Sequence, residues 1–187
     1  MSIVEESQVR RITCDEFMRM FEAGVFAEGD RLELLDGFII EMSSQSPKHS
    51  LAVARMTSYL SGLLRKGRLV LVQQPILADP YSLPEPDFAV VDEDAFEQGH
   101  PPAARTLLLV EISLSSVEID RRKASLYARA GAPEYWLVDL EQRKVEVHVD
   151  PTERGYGRVT ILDERHELAP GFAPGSPVLL SSLLPNG

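Results

Sequence analysis

Pro86-Asp87-Phe88-Ala89-Val90-Val91 and, further along, Thr106-Leu107-Leu108-Leu109-Val110-Glu111-Ile112-Ser113 are the two stretches whose reading decides the fold. Each holds a short, nearly continuous apolar run, the pattern of a strand covered on both faces. Between them, Glu93–Arg105 is polar and contains prolines, so it reads as a surface connection. Beyond them, Glu118–Ala130 reads as a helix that stops at Gly131, with Ile119, Leu126, Tyr127 and Ala130 toward the core. Glu134–Asp139 follows as another apolar strand. A helix bridging two buried strands predicts an α/β fold with a mixed central sheet flanked by helices.

Working outward, the N-terminal side carries an unusually complete helix start. Thr13-Cys14-Asp15-Glu16 is a capping box, with Ile12 and Phe17 as its hydrophobic staple. Phe17, Met20 and Phe21 follow at helical spacing, and Gly24 supplies a stop. Arg31–Asp36 and Phe38–Ser43 read as strands joined by a tight turn at Asp36-Gly37, which adds a β-hairpin to the central sheet. Ser46-Pro47 then opens a helix expected to reach about Lys66, burying Leu51, Ala54, Leu60, Leu63 and Leu64. Leu69–Gln73 and Ile76–Ala78 look like strand pieces, and the proline-rich Asp79–Pro86 like a loop. On the C-terminal side, Val145, Val147 and Val149 alternate with polar residues as in a half-exposed strand, with Tyr156–Leu162 as its hairpin partner. That hairpin offers an edge for a homodimer. From Ala169-Pro170-Gly171 onward the tail reads as loop, with a short apolar finish at Leu179–Leu184.

The chain of 187 residues is 44% hydrophobic, enough for one domain with a real core over 1–187. Its elements divide into a capping helix near 13–24, a core near 31–140 and a hairpin with tail over 141–187. The lone Cys14 forms no internal disulfide and reads as a small, half-buried helix residue. Met1–Arg10 lacks the apolar core of a signal peptide, and no run approaches the roughly 20 apolar residues of a membrane span. The expectation is a soluble, cytoplasmic protein with no membrane partner. Lys+Arg total 19 against 29 Asp+Glu, a net charge of −10. A nucleic-acid footprint must therefore be local, at Arg65-Lys66-Arg68 or Arg121-Arg122-Lys123, unless these are ordinary solvated helix faces.

Three residues break the apolar pattern. Glu111 sits at the end of a run apolar enough to be buried, where a carboxylate is costly unless a cation or strong donors compensate. Its plain alternative is to emerge at the strand end and pair with an arginine. Asp87 is a second acid at the edge of a buried strand, or else simply caps the loop that ends at Pro86. Neighbouring strands could bring the two carboxylates within a few ångströms, where a divalent cation is the usual resolution. Lys123, early in the following helix, could point back toward them, or stay solvated and pair with Asp120.

Pro86-Asp87 followed after 24 residues by Glu111-Ile112-Ser113 resembles the PD-(D/E)xK nuclease pattern. The usual lysine two positions after the second acid is absent, and Ser113 stands there. A wider set resembles the Uma-type family of restriction endonucleases. It comprises Glu33-Leu34-Leu35-Asp36-Gly37, Ser46-Pro47-Lys48-His49, Val110-Glu111-Ile112-Ser113, Asp120 with Lys123, Tyr127, and Gly131-Ala132-Pro133-Glu134-Tyr135-Trp136-Leu137-Val138. The resemblance implies a restriction-endonuclease-like fold, with the catalytic lysine moved to the following helix, here Lys123. It further implies that Asp87, Glu111 and the backbone carbonyl of Ile112 hold Mg²⁺, with Mn²⁺ as a substitute, and that the substrate is DNA. Cleavage would then leave a 5′-phosphate and a 3′-hydroxyl.

In that chemistry a bound metal activates water and polarises the phosphate, while Lys123 orients the water or offsets developing charge. Glu33 is a candidate auxiliary ligand, or a strand acid facing solvent. His49 could contact phosphate, or be a surface histidine near a helix N-terminus. His100, His148 and His166 show no ligand spacing and read as surface residues; Tyr135-Trp136 read as core. Two other classes compete with the nuclease. A non-catalytic binding or assembly module would explain Ser113 and the net charge, and a hydrolase of smaller phosphate esters would need a narrow, closed pocket.

Overall fold

In the computed structural model, which describes residues 9–42, 46–97, 99–114 and 116–186, both deciding stretches are strands at the middle of one sheet. In chain order the elements are α1 (Cys14–Glu22), β1 (Leu32–Leu35), β2 (Phe38–Glu41), α2 (Pro47–Gly62), β3 (Arg68–Val72) and β4 (Phe88–Asp92). There follow β5 (Thr106–Ser113), α3 (Val117–Arg129), β6 (Glu134–Asp139), β7 (Lys144–Thr152) and β8 (Gly155–Asp163). The chain closes with β9 (Glu167–Leu168), β10 (Val178–Leu179) and α4 (Leu180–Leu183). The expected strand end at Ser43, and the N-terminal reading up to residue 8, lie outside the described residues.

The central sheet has the order β3-β4-β5-β6-β7-β8. Only β5 and β6 are parallel, because α3 carries the chain back between them; the other neighbours are antiparallel. The fold is therefore mixed α/β. Side chains alternate between two cores, as a pleated strand requires. Phe88, Val90, Leu108, Val110, Trp136 and Val145 face α2 and α4, whereas Ala89, Val91, Leu109, Tyr135 and Leu137 face Ala124 and Tyr127 of α3. Trp136 and Tyr135 are both fully buried, one on each side.

The local signals at the start of α1 and α2 are realised in full. Thr13 Oγ1 accepts from the Glu16 N–H at 3.2 Å, and Glu16 Oε2 accepts from the Thr13 N–H at 3.0 Å. Ser46 Oγ accepts from the His49 N–H at 3.2 Å, with Pro47 as the first helical residue. Asp36 and Gly37 both adopt positive φ, 49° and 80°, the conformation a two-residue hairpin turn with right-handed twist demands. A Cβ on Gly37 would lie 2.5 Å from Arg11 Cβ, and Ile12 N–H binds the Gly37 carbonyl beside it. Gly37→Ala should therefore cost about 2 kcal/mol through backbone strain and that clash. The corresponding drop in Tm is about 4–8 °C by thermal denaturation. An unchanged Tm would mean the Arg11 segment gives way freely.

Several boundaries and faces differ from expectation. α2 ends at Gly62, short of Lys66, because residues 63–67 turn into β3, with Arg68 N–H on the Arg65 carbonyl. Its buried stripe is Ala52, Met56 and Leu60; Leu51 and Ala54 face outward. Ile76 is buried, yet Ile76–Ala78 makes only an isolated bridge, Leu77 to Pro102, and no strand. The tail is more ordered than its composition suggested: β9 pairs with β10, and Leu180, Leu183 and Leu184 close the α2 side of the core. β7 is covered on both faces. Glu146 and His148, expected on the wet side of an alternating strand, lie under α3, where Arg121 binds Glu146 at 2.6 Å. His148 is accordingly no surface residue: it packs against Tyr135 and Tyr156, and burial pulls its pKa down.

Candidate active site

β4 and β5 set Phe88 across from Val110, so one further step in the same register sets Asp87 across from Glu111. Both side chains share the strand parity of Ala89 and Leu109 and so point to the α3 side of the sheet. α3 packs there because Ala124 and Tyr127 are its apolar stripe, and Lys123 stands beside them on the same buried face. The hairpin β1–β2 approaches from the other side, anchored by Leu34 packing against Leu83 and Phe17, and delivers Glu33.

These placements make one connected network. Lys123 Nζ lies 2.8 Å from Glu33 Oε2 and 3.1 Å from Glu111 Oε1, with the lysine only 5% exposed. Tyr127, one helical turn after Lys123, donates its hydroxyl to the same Glu111 Oε1 at 3.0 Å. Asp87 Oδ2 accepts from the Ile112 backbone N–H at 2.8 Å and meets His49 Nε2 at 3.1 Å. Asp87 Oδ1 accepts from Gln73 Nε2 at 3.1 Å. Gln73 has a left-handed φ of 52°, uncommon outside glycine, and its backbone N–H also binds the Asp87 carbonyl. Since N–H and C=O of an extended residue point the same way, the Ile112 carbonyl also faces the Asp87 side.

The electrostatics follow from burial. Glu111 is pushed well above the usual carboxylate range by desolvation, which Lys123 only partly offsets. Burial likewise raises Glu85 and Asp120. Burial works against the Lys123 ammonium too, yet Glu111 and Glu33 more than compensate and hold its pKa above the ordinary lysine value. The cleft lining includes the acids Glu33, Glu41, Glu85, Asp87, Glu111 and Asp120 against Arg31 and Lys123. That surplus of hard oxygen donors suits a divalent cation. Among the described residues no three His, Cys, Asp or Glu side chains converge as a ready-made metal cage. Magnesium does not need one: it keeps several waters and binds through one or two carboxylates plus substrate phosphate.

Each residue picked out from the sequence now has a place. Asp87, Glu111, Lys123 and Ile112 come together. Glu33 faces Lys123 and is 4% exposed, not a solvent-facing acid. His49 turns inward onto Asp87 and is not on the surface; its Nδ1 is buried and has no hydrogen-bond partner among the described residues. Ser113 is fully buried, 3.1 Å from Ser116 Oγ. Asp120 accepts from Ser116 Oγ at 2.8 Å, and Lys123 makes its ion pairs with the two glutamates. Ile119, expected in the core, is 46% exposed at the rim of the cleft. Gln73, Glu85 and the hydroxyl of Tyr127 were not read from the sequence as parts of the site. A buried tyrosine hydroxyl needs a partner, which was the available signal for Tyr127. Within the two basic clusters, Arg121 pairs with Glu118 and Glu146, Arg68 pairs with Asp92, and Lys123 is buried among the acids, while Arg65, Lys66 and Arg122 are exposed.

Glu111→Gln tests the buried charge. A group raised in the folded state stabilises below its unfolded pKa of about 4.3 and loses that contribution as pH rises through the folded value. Wild type and Glu111→Gln should therefore have similar Tm near pH 4, with the variant the more stable at pH 8. A gap that stays constant between those values would show that Glu111 is not titrating above its ordinary range.

A family model described as "Uma2: Putative restriction endonuclease" matches residues 14–177. The solved structures that match include the crystal structure of a putative nuclease belonging to DUF820 from Anabaena variabilis. The likeness is at 18% identity with a TM-score of 0.74, over 92% of this chain and 97% of that one. A search of curated proteins found no match.

Proposed function

The chain belongs to the Uma2 family of putative restriction endonucleases, and from that premise we propose that it is a metal-dependent endonuclease that hydrolyses DNA phosphodiester bonds. The observation that supports this most is the meeting of Asp87, Glu111 and Lys123 in one acid-rich cleft, with Lys123 arriving from α3 where Ser113 cannot serve. Asp87, Glu111 and the Ile112 carbonyl would hold Mg²⁺, or Mn²⁺ in its place. When bound, the ion would supply a Lewis acid for the phosphate and a water of lowered pKa.

The remaining roles belong to the chain itself. The Ile112 N–H, His49 and Gln73 orient the Asp87 carboxylate, and Tyr127 orients Glu111. Lys123 carries a fixed positive charge whose two carboxylate partners hold it in place. There it stabilises negative charge that grows on the phosphate or orients the attacking water. Glu33 acts as the second anchor of Lys123. The products are a 5′-phosphate and a 3′-hydroxyl, and the site of action is the cytoplasm. No helix among the described residues is long and apolar enough to cross a membrane.

The test is cleavage of plasmid and single-stranded DNA with Mg²⁺, Mn²⁺ or EDTA, alongside calorimetric metal titration. Metal-dependent cutting is expected. Absence of both cutting and metal binding would overturn the reading. A second reading, a nuclease-fold module that binds without turnover, draws on the acidic lining and on Ser113. DNA binding with metal uptake but no cleavage would favour it.

A further inference from the structure

The central sheet ends at β8, and that edge is open. Among the described residues no backbone hydrogen bond reaches 156–162 from any element but β7. Proteins ordinarily blunt a long edge with charge, proline or a bulge. Here Val159 and Ile161 are 47% and 61% exposed, and Ile161 is the most exposed large apolar side chain described. The sequence expected an edge at the β7–β8 hairpin; β7 lies inside the sheet, between β6 and β8, so the open strand is β8.

We propose that β8 pairs antiparallel with β8 of a second copy of this chain, about a two-fold axis at Val159, to make one continuous sheet. The argument is self-complementarity. β8 runs Gly155–Asp163, so Val159 is its midpoint. The same dipeptide flanks both ends, Glu153-Arg154 before and Glu164-Arg165 after. Glu153-Arg154 form the turn before β8 and Glu164-Arg165 the turn after it, so inverting the strand about Val159 brings the two turns together, Glu153 toward Arg165 and Arg154 toward Glu164, twice by symmetry. Neighbouring registers lose this match. An axis at Arg158 puts that arginine against its own copy, and an axis at Thr160 removes both charge pairs. A two-fold pairing admits no odd shift, because each side chain must meet its mate on the same face.

Glu164 pairs with Arg143 within the chain, and that contact has to exchange for the intermolecular one. Arg165 is 83% exposed in its pairing with Asp163, so that contact can exchange for an intermolecular one. Nothing in this proposal depends on the nuclease reading, and its test is oligomeric state.

Directly opposed residues in an antiparallel pair have Cα atoms about 4.5–5.5 Å apart, inside disulfide range. Val159→Cys should therefore oxidise to a covalent dimer, since native Cys14 is buried and does not compete. Ser125→Cys, at an exposed position on α3, is the control. By sedimentation the wild type is expected to dimerise. Ile161→Lys should raise the dissociation constant at least about tenfold, since the change counts twice. Glu153→Arg and Arg165→Glu should each weaken the dimer, and the double swap should restore it. A chain that stays monomeric at 100 μM or so overturns the proposal. So does a dimer indifferent to these changes, or Val159→Cys cross-linking no better than the control.

Discussion

Asp87→Ala and Glu111→Ala are each expected to lower metal-dependent DNA cleavage at least about a thousandfold, the range reached when a catalytic electrostatic group is lost. The two should differ in what they do to the fold. Removing the Asp87 carboxylate leaves the Ile112 N–H, His49 and Gln73 without their acceptor. Burying unsatisfied donors costs about 1–3 kcal/mol, so Asp87→Ala should also lower Tm. Glu111→Ala leaves Lys123 its contact with Glu33, and it deletes the group whose burial is the most strongly opposed, so its stability cost should be smaller. Cleavage rates with saturating Mg²⁺, thermal denaturation and calorimetric metal binding together separate loss of chemistry from loss of structure. Either variant cutting at the wild-type rate would remove that residue from the site.

Lys123→Met should have the larger effect on stability. It leaves Glu33 and Glu111 facing each other in a buried setting with no cation between them. Breaking a buried ion pair from one side costs about 3–5 kcal/mol, which for a chain of this size is a fall of about 6–20 °C in Tm. Glu111→Gln added to Lys123→Met should recover part of it, because one of the stranded charges goes. If Lys123 also stabilises charge during phosphodiester cleavage, activity well below the melting range should drop about a hundredfold or more. A variant with unchanged Tm would mean that the lysine is not the cation of this triad.

Which segments are strands, and where helices start, follow from residues that act over one turn or one pleat. The apolar runs before and after Glu93–Arg105 had to be buried strands, and Thr13–Glu16, Ser46-Pro47 and Asp36-Gly37 each satisfy backbone groups within a few residues of themselves. Asp87 and Glu111 stood out for the same local reason: a carboxylate at the end of an apolar run demands a partner. What those partners are was decided elsewhere. Lys123 reaches Glu111 only because the return of the chain through α3 lays that helix across the face where odd-numbered residues of β5 point. Glu33 is buried because a hairpin far away in sequence packs against the same lysine. His49 and Gln73 meet on Asp87 from α2 and from the end of β3. His148 and Glu146 were misplaced because strict alternation states which side chains share a face, not whether a helix covers the other one. Periodicity and caps are short-range properties and can be read along the chain; coverage, pairing of charges and the open edge of β8 are set by which elements come to rest against each other.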